Sequence, residues 1–210
     1  MTRTILAAAA LALLAGCSPE PVAAPEPDGT AASPSPAAEA SDSPPADAAI
    51  RDDDRARGRQ RVYTSLGDCK VVRREREEMP FTEVECPGPA GFALRIADSD
   101  ARQSMTVVDP GGTAHRLATA RIGGGGFSAF GKTAEWRGDG APGVDGGFEP
   151  DSLIVRYEVT EDPYPAPETS YLLVVRLAGD PCIVARIPPG PGQNDSARDA
   201  ADDPGACLAG

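Results

Sequence analysis

Residues 126–133 read GFSAFGKT and satisfy the pattern G-x-x-x-x-G-K-[ST], a glycine-rich turn that wraps phosphate while a lysine meets its charge. That chemistry needs a buried strand before the turn and a helix after it, whose first amides complete the cradle. The preceding ATARIGGG is no such strand, and the following AEWRGDGAPG meets Gly138, Gly140 and Pro142 within one or two turns. A glycine-rich hairpin connection is therefore expected here, without nucleotide. His115 is the lone histidine, and no Gly-x-Ser-x-Gly elbow occurs, so a histidine-based triad has no local support. The acid pairs Glu77/Glu78 and Glu149/Asp151 have the residue type for glycoside hydrolysis. In an acid-rich chain such pairs are also ordinary solvated surface. GDGAPGVDGGFEPD offers Asp139, Asp145 and Asp151 to calcium, but Ala141 and Gly143 occupy positions where an EF-hand loop needs oxygen ligands. A flexible loop is expected instead. Consecutive Asp52, Asp53 and Asp54 do not converge on one ion without a specially shaped loop. Trp136 and Tyr164 read as a packing residue and a loop residue rather than a carbohydrate platform. No catalytic residue, cofactor or metal site is assigned.

The cysteines give a sharper signal. Cys69, Cys86, Cys182 and Cys207 lie in the C-terminal three quarters of the chain, an even number that points to disulfides in an exported protein. The stretch CKVVRREREEMPFTEVEC is nearly symmetric about Glu77-Glu78. Folded as a hairpin, it pairs residues whose numbers sum to 155, so Cys69 faces Cys86, Val71 faces Val84 and Lys70 faces Glu85. The two-residue period of a strand then puts the sulfurs and valines on one buried face and an opposite-charge pair on the other. Zinc is the rival reading, but no CxxC or Cys-His spacing is present. The expected pairs are Cys69–Cys86 and Cys182–Cys207.

Elements that must carry these residues are mostly strands. FALRI (92–96), SMTVVD (104–109), TAEWR (133–137), LIVRYEV (153–159), YLLVVRL (171–177) and CIVARI (182–187) are rich in β-branched residues and bounded by Gly, Pro and Asp turns. The runs at 153–159 and 171–177 flank TEDPYPAPETS, and a long antiparallel hairpin follows. NDSARDAADD alone reads as a helix, with Asn194 or Asp195 as its cap. The fold class predicted for residues 61–210 is mainly antiparallel β, a sandwich or rolled sheet, with a short C-terminal helix and two disulfides. About 150 residues suffice for one core.

The first 60 residues differ in kind. Arg3 precedes the uncharged apolar run Ile5–Leu14, which is far short of the roughly 20 residues a membrane-spanning helix needs. It ends at Leu14-Ala15-Gly16-Cys17, which resembles the lipobox of bacterial lipoproteins at all four positions. The resemblance implies that residues 1–16 are a signal peptide cut before Cys17, and that Cys17 is acylated with palmitate-type chains. By the family's sorting rule Ser18, in place of Asp, implies the outer membrane facing the periplasm, with the inner membrane or the cell surface as alternatives. Residues 17–60 then form the lipidated tether. Ser18–Asp47 holds eight prolines, eight alanines and six acids, with Val22 its only large apolar residue. Such a segment buries too little apolar surface to offset the entropy of ordering it. Fully extended, residues 18–60 would reach about 130 Å; as a flexible coil they would average about 36 Å. IRDDDRARGRQR, residues 50–61, reads as a solvated, charged extension.

The chain carries a net charge of −12. This excludes nucleic acid and electrostatic docking on anionic lipid as expected partners, and permits a basic protein partner. The CPGPAG stretch, the EWR strand and the Ala/Arg helix before Cys207 resemble features of small uncharacterised exported proteins of bacteria, a likeness that implies no activity. Periplasmic lysozyme-inhibitor lipoproteins share this anchor and a β architecture, although their motifs have no counterpart here. The expected function is a non-catalytic binding or structural module, lipid-anchored in the cell envelope. The alternatives are a carboxylate-based cell-wall glycan hydrolase and an acidic inhibitor of a basic envelope protein such as lysozyme.

Overall fold

A computed structural model describes residues 59–77, 79–143, 146–161 and 167–209. Cys17 and the segments read as signal peptide and most of the tether lie outside them, as do Glu78, Asp145 and Tyr164. Among the described residues ten strands form one sheet: β1 Gln60–Ser65, β2 Lys70–Glu75, β3 Phe81–Pro87, β4 Ala93–Ser99, β5 Arg102–Val108, β6 Ala114–Arg116, β7 Ser128–Gly140, β8 Phe148–Thr160, β9 Glu168–Arg176 and β10 Cys182–Ile187. Two helices accompany them, α1 Thr119–Ile122 and α2 Gln193–Asp202.

The main path runs β10-β9-β8-β7-β5-β4-β3-β2. Its pairings are antiparallel except the β5–β7 link, a single parallel bridge between Arg102 and Ser128. Beyond that bridge β7 takes β1 as its neighbour, from Ser65↔Thr133 to Gln60↔Gly138. The second edge of β7 is thus shared by two strands, and the β2–β5 half is free to turn away from the β7–β10 half. Side chains from both halves, including Leu94, Met105, Val107, Trp136, Leu153 and Leu173, meet in one core. This is the expected mainly β architecture, built as one mixed sheet that packs around a shared core.

Strands β8 and β9 are apolar on both faces, and the sequence says so in its unbroken LIV and YLLVV runs. Leu153, Val155 and Tyr157 enter the main core, while Ile154, Leu172 and Val174 point the other way and meet Ala197 and Ala201 of α2. A strand covered on both sides loses the apolar–polar alternation of a half-exposed one. The expected hairpin forms in one register, from Ser152↔Arg176 to Thr160↔Glu168.

Both disulfides have the expected partners, with Cα–Cα distances of 4.5 Å for Cys69–Cys86 and 5.7 Å for Cys182–Cys207. They mark an extracytoplasmic domain. Four local expectations need correction. Lys70↔Glu85 and Val71↔Val84 pair as expected, but Val72 is an extra residue that shifts the rest, so that Arg73 opposes Glu83. Val71 is also exposed rather than buried, because β2 is the last strand of the path and all six of its residues extend beyond the core. The Glu85 carboxylate turns from Lys70 to Arg95 on β4, where Nε lies 2.8 Å from it. Finally, α2 starts at Gln193, and Gly192 at φ +73° takes the cap position expected for Asn194 or Asp195.

Candidate functional site

The GFSAFGKT stretch is not a hairpin connection. Its Ser128–Thr133 portion is the start of β7, a strand continuous to Gly140. Gly131 lies opposite Arg156 of β8, where an added Cβ would come 2.9 Å from the Arg156 Cβ, and the pairing is irregular between Phe130 and Ala134. Glycine here lets two backbones approach around a bulge. With a strand where a phosphate loop requires a helix, Lys132 belongs to no cradle.

The glycines just upstream build something else. After Ile122 the chain runs through Gly123, Gly124, Gly125 and Gly126, with Gly124 and Gly125 at φ +69° and +77°. The amides of Gly123 and Gly125 close onto the carbonyls of Thr119 and Ala120, at 2.8 and 3.0 Å, and end the helix. A Cβ on Gly126 would lie 2.5 Å from the Thr160 carbonyl oxygen, and one on Gly123 would lie 2.9 Å from the Tyr157 ring. The loop therefore lies flat on β8. Above it opens a hollow of about 930 Å³ lined by Arg102, Arg121, Phe127, Glu161, Arg186 and Leu208, among others. A second hollow of about 620 Å³ shares Arg102, Gly125 and Gly126 and adds Arg73 and Arg116. Together they form a groove with five arginines on its walls.

Two of those arginines are fixed by the loop itself. Arg102 donates from Nε to the Gly125 carbonyl at 3.0 Å, pairs with Asp100 and stacks 4.8 Å from the centre of the Phe127 ring. Arg186 donates from Nη1 to the Ile122 carbonyl at 2.7 Å and stacks 4.3 Å from the Tyr171 ring. The guanidinium groups of Arg116 and Arg121 make no hydrogen bond or ion pair with a described residue. Glu161, the acid of the first hollow, accepts a hydrogen bond from the Tyr171 hydroxyl, which pushes the phenol pKa up. The Cys182–Cys207 bridge and a 2.8 Å hydrogen bond from the Leu208 amide to the Ile183 carbonyl bring Leu208 to the rim.

A second polar centre lies between β1, β7, β8 and α2. Arg59 donates to both oxygens of Asp151 at 2.5 and 2.6 Å and to Asp202 at 3.2 Å. Arg137 is 1% exposed and donates to Asp202 at 2.8 and 3.0 Å and to Glu135 at 3.2 Å. Glu135 also accepts from Arg198 at 3.0 and 3.1 Å and from the Tyr63 hydroxyl at 3.0 Å. Burial opposes its ionisation, but these donors, Arg198 foremost, hold its carboxyl below the usual range. The centre is saturated with its own partners and ties α2 to the sheet.

That centre also accounts for the acids flagged in the sequence. Asp151 is occupied by Arg59, whose guanidinium also stands 3.5 Å from Asp139, so a cation already lies between two of the calcium candidates. Glu149 pairs with Asp139 across the β7–β8 ladder. His115 lies between Asp109 and Asp180, 3.1 Å from each, and among the described residues no serine or cysteine is hydrogen-bonded to its ring. Trp136 is fully buried, its indole donating to Thr64 Oγ1 at 2.8 Å. Sequence reasoning missed the groove: its arginines are scattered from 73 to 186, and only the four consecutive glycines mark the place. Comparison with known protein families, with characterised proteins and with solved structures finds no match. Among the described residues no helix is long and apolar enough to cross a membrane.

Proposed function

We propose that the chain is a lipid-anchored, non-catalytic binding module of the bacterial cell envelope, held by acylated Cys17 and presenting its groove at the end of the 17–60 tether. The LAGC sequence, the proline-rich tether and the two disulfides support the address, with the outer membrane facing the periplasm as the preferred location. The observation that carries the binding role is the flat glycine loop with arginines around it. Such a concave site, with few convergent polar groups and an apolar patch, is where ligands are usually held. Binding is preferred to carboxylate hydrolysis because Asp100 and Glu161, two of the acids on its walls, are engaged by Arg102 and Tyr171. The acid surplus that suggested a basic partner lies elsewhere on the molecule.

Two measurements test the reading. Cys17→Ala should move the protein from the membrane to the soluble fraction, and retention of that variant after a salt wash, with its signal cleaved, would refute the anchor. A photo-crosslinker at Phe127 in the native envelope should capture a discrete partner or ligand. Identical recovery from a crosslinker at exposed Lys132, outside the groove, would refute the groove as the binding face.

A further inference from the structure

Resting on the binding reading above, we infer that the groove is a receptor for an oxyanion, phosphate or carboxylate, borne on a small ligand with an aromatic or otherwise apolar body.

The charge argument comes first. In a chain with 12 excess negative charges, arginines should find carboxylates easily, and Arg59, Arg73, Arg95, Arg137 and Arg198 each do. Among the described residues Arg121 and Arg116 do not, although they face the two hollows beside Arg102 and Arg186. The five arginines of the groove outnumber the acids on its walls, Glu83, Asp100 and Glu161. The excess guanidinium groups repel one another, and an oxyanion relieves that repulsion while accepting charge-assisted hydrogen bonds.

Geometry adds preorganisation. Arg102 and Arg186 are each tied by one hydrogen bond to a carbonyl of the same loop, at Gly125 and Ile122. A guanidinium has five N–H donors, so this anchoring leaves others for a ligand. Side chains already held in place lose less entropy when an anion arrives. The loop that holds them packs directly on β8, since Gly123 and Gly126 leave no room for a Cβ against Tyr157 and Thr160.

The apolar body follows from the rest of the lining. Phe127 is 44% exposed and Leu208 39%, an unusual pair to leave open at the rim of a charged hollow. Phe127 is gripped on one side by Arg102, and an aromatic ring on the ligand would find there both a stacking surface and the edge of a cation. Inorganic phosphate would use the arginines alone.

The test uses the full-length protein and three probes, inorganic phosphate, phenyl phosphate and benzoate, titrated by calorimetry over a series of salt concentrations from low to physiological. Phenyl phosphate should bind more tightly than inorganic phosphate, and benzoate against phenyl phosphate tells which oxyanion the site prefers. Arg121→Glu, at an exposed position whose guanidinium pairs with no described residue, should weaken every probe by about tenfold or more, since one charge-assisted contact is removed and a like charge installed. Lys132→Glu makes the same change of charge outside the groove and should leave binding unaltered. Phe127→Ala should abolish the advantage of phenyl phosphate while inorganic phosphate still binds. No saturable binding of any probe at millimolar concentration would overturn the inference, and so would equal losses in Arg121→Glu and Lys132→Glu. Should Phe127 crosslinking still capture a partner while every probe fails, the oxyanion class falls and the binding reading stands. Failure of both refutes the binding reading itself.

Discussion

Replacing Arg137 by Met isolates the worth of the buried charge centre. The change keeps an unbranched apolar stem of similar length and removes the guanidinium, leaving Asp202 (9% exposed) and Glu135 (11%) short of a partner. Breaking a buried pair from one side costs about 3–5 kcal/mol, since the remaining charge is desolvated without compensation. Here Arg59 still reaches Asp202 at 3.2 Å and Arg198 still holds Glu135, so the lower end, about 3 kcal/mol, is expected. For a domain of this size each kcal/mol moves the melting temperature by about 2–4 °C, which gives a fall of about 6–12 °C. Urea denaturation followed by far-UV circular dichroism measures it directly. The double variant Arg137→Met/Asp202→Leu should recover more than half of the loss, because it removes the stranded carboxylate as well. Arg59 keeps Asp151 in that background. A cost below about 1 kcal/mol for Arg137→Met would refute the reasoning. A double variant no more stable than the single one would show that the loss came from packing rather than stranded charge.

Gly88→Ala should destabilise the domain by about 1–3 kcal/mol through overpacking. The new Cβ would come 2.6 Å from Trp136 Cζ2 and 2.9 Å from the Phe92 carbonyl, and fluorescence of the single tryptophan reports the shift in the urea midpoint. His115 is held above its ordinary value of about 6.5, first by its hydrogen bond to Asp109 and then by Asp180, while Asp109 is held below the usual range by the same contact. The charged pair therefore contributes in full between the ordinary aspartate value of about 4 and about pH 6.5; it is lost as pH falls through the lowered Asp109 value, and lost again as pH rises through the raised His115 value. The stability difference between wild type and His115→Asn should shrink as pH rises through that value; a difference constant with pH would contradict the pairing.

What the sequence carried openly was the local, two-residue signal. Strand β10 coincides with CIVARI, the β8–β9 hairpin follows from two apolar runs around a proline-rich loop, and the Cys69–Cys86 pair follows from strand symmetry, which leaves Cys182 to Cys207. The errors arise where a second neighbour decides. Val71 alternates like a buried residue, but burial depends on whether another layer lies over β2, and among the described residues none does. Phe130-Gly131-Lys132 reads as a turn because glycine is permissive, yet here glycine serves a bulge against β8. A local pattern cannot separate the two, since both are backbone conformations or approaches that a side chain would obstruct.

The charge of the chain shows the same limit in its sharpest form. A total of −12 describes the field felt far from the protein, and it pointed to a basic partner. At contact range what matters is which carboxylates are already used. Glu135, Asp151 and Asp202 are consumed by Arg59, Arg137 and Arg198 at the α2 face, where they serve stability. Asp109 and Asp180 are directed at His115. Pairing of this kind removes acids from the surface that a ligand meets, and it does so unevenly. At the glycine loop the balance reverses, with Arg116 and Arg121 unanswered and Arg102 and Arg186 steered by backbone carbonyls. An acidic protein can therefore present a cationic site, provided that its fold gathers the counter-charges elsewhere. Long-range repulsion would then slow the arrival of anions and make their binding tighten as salt rises from very low values, until screening of the groove itself takes over.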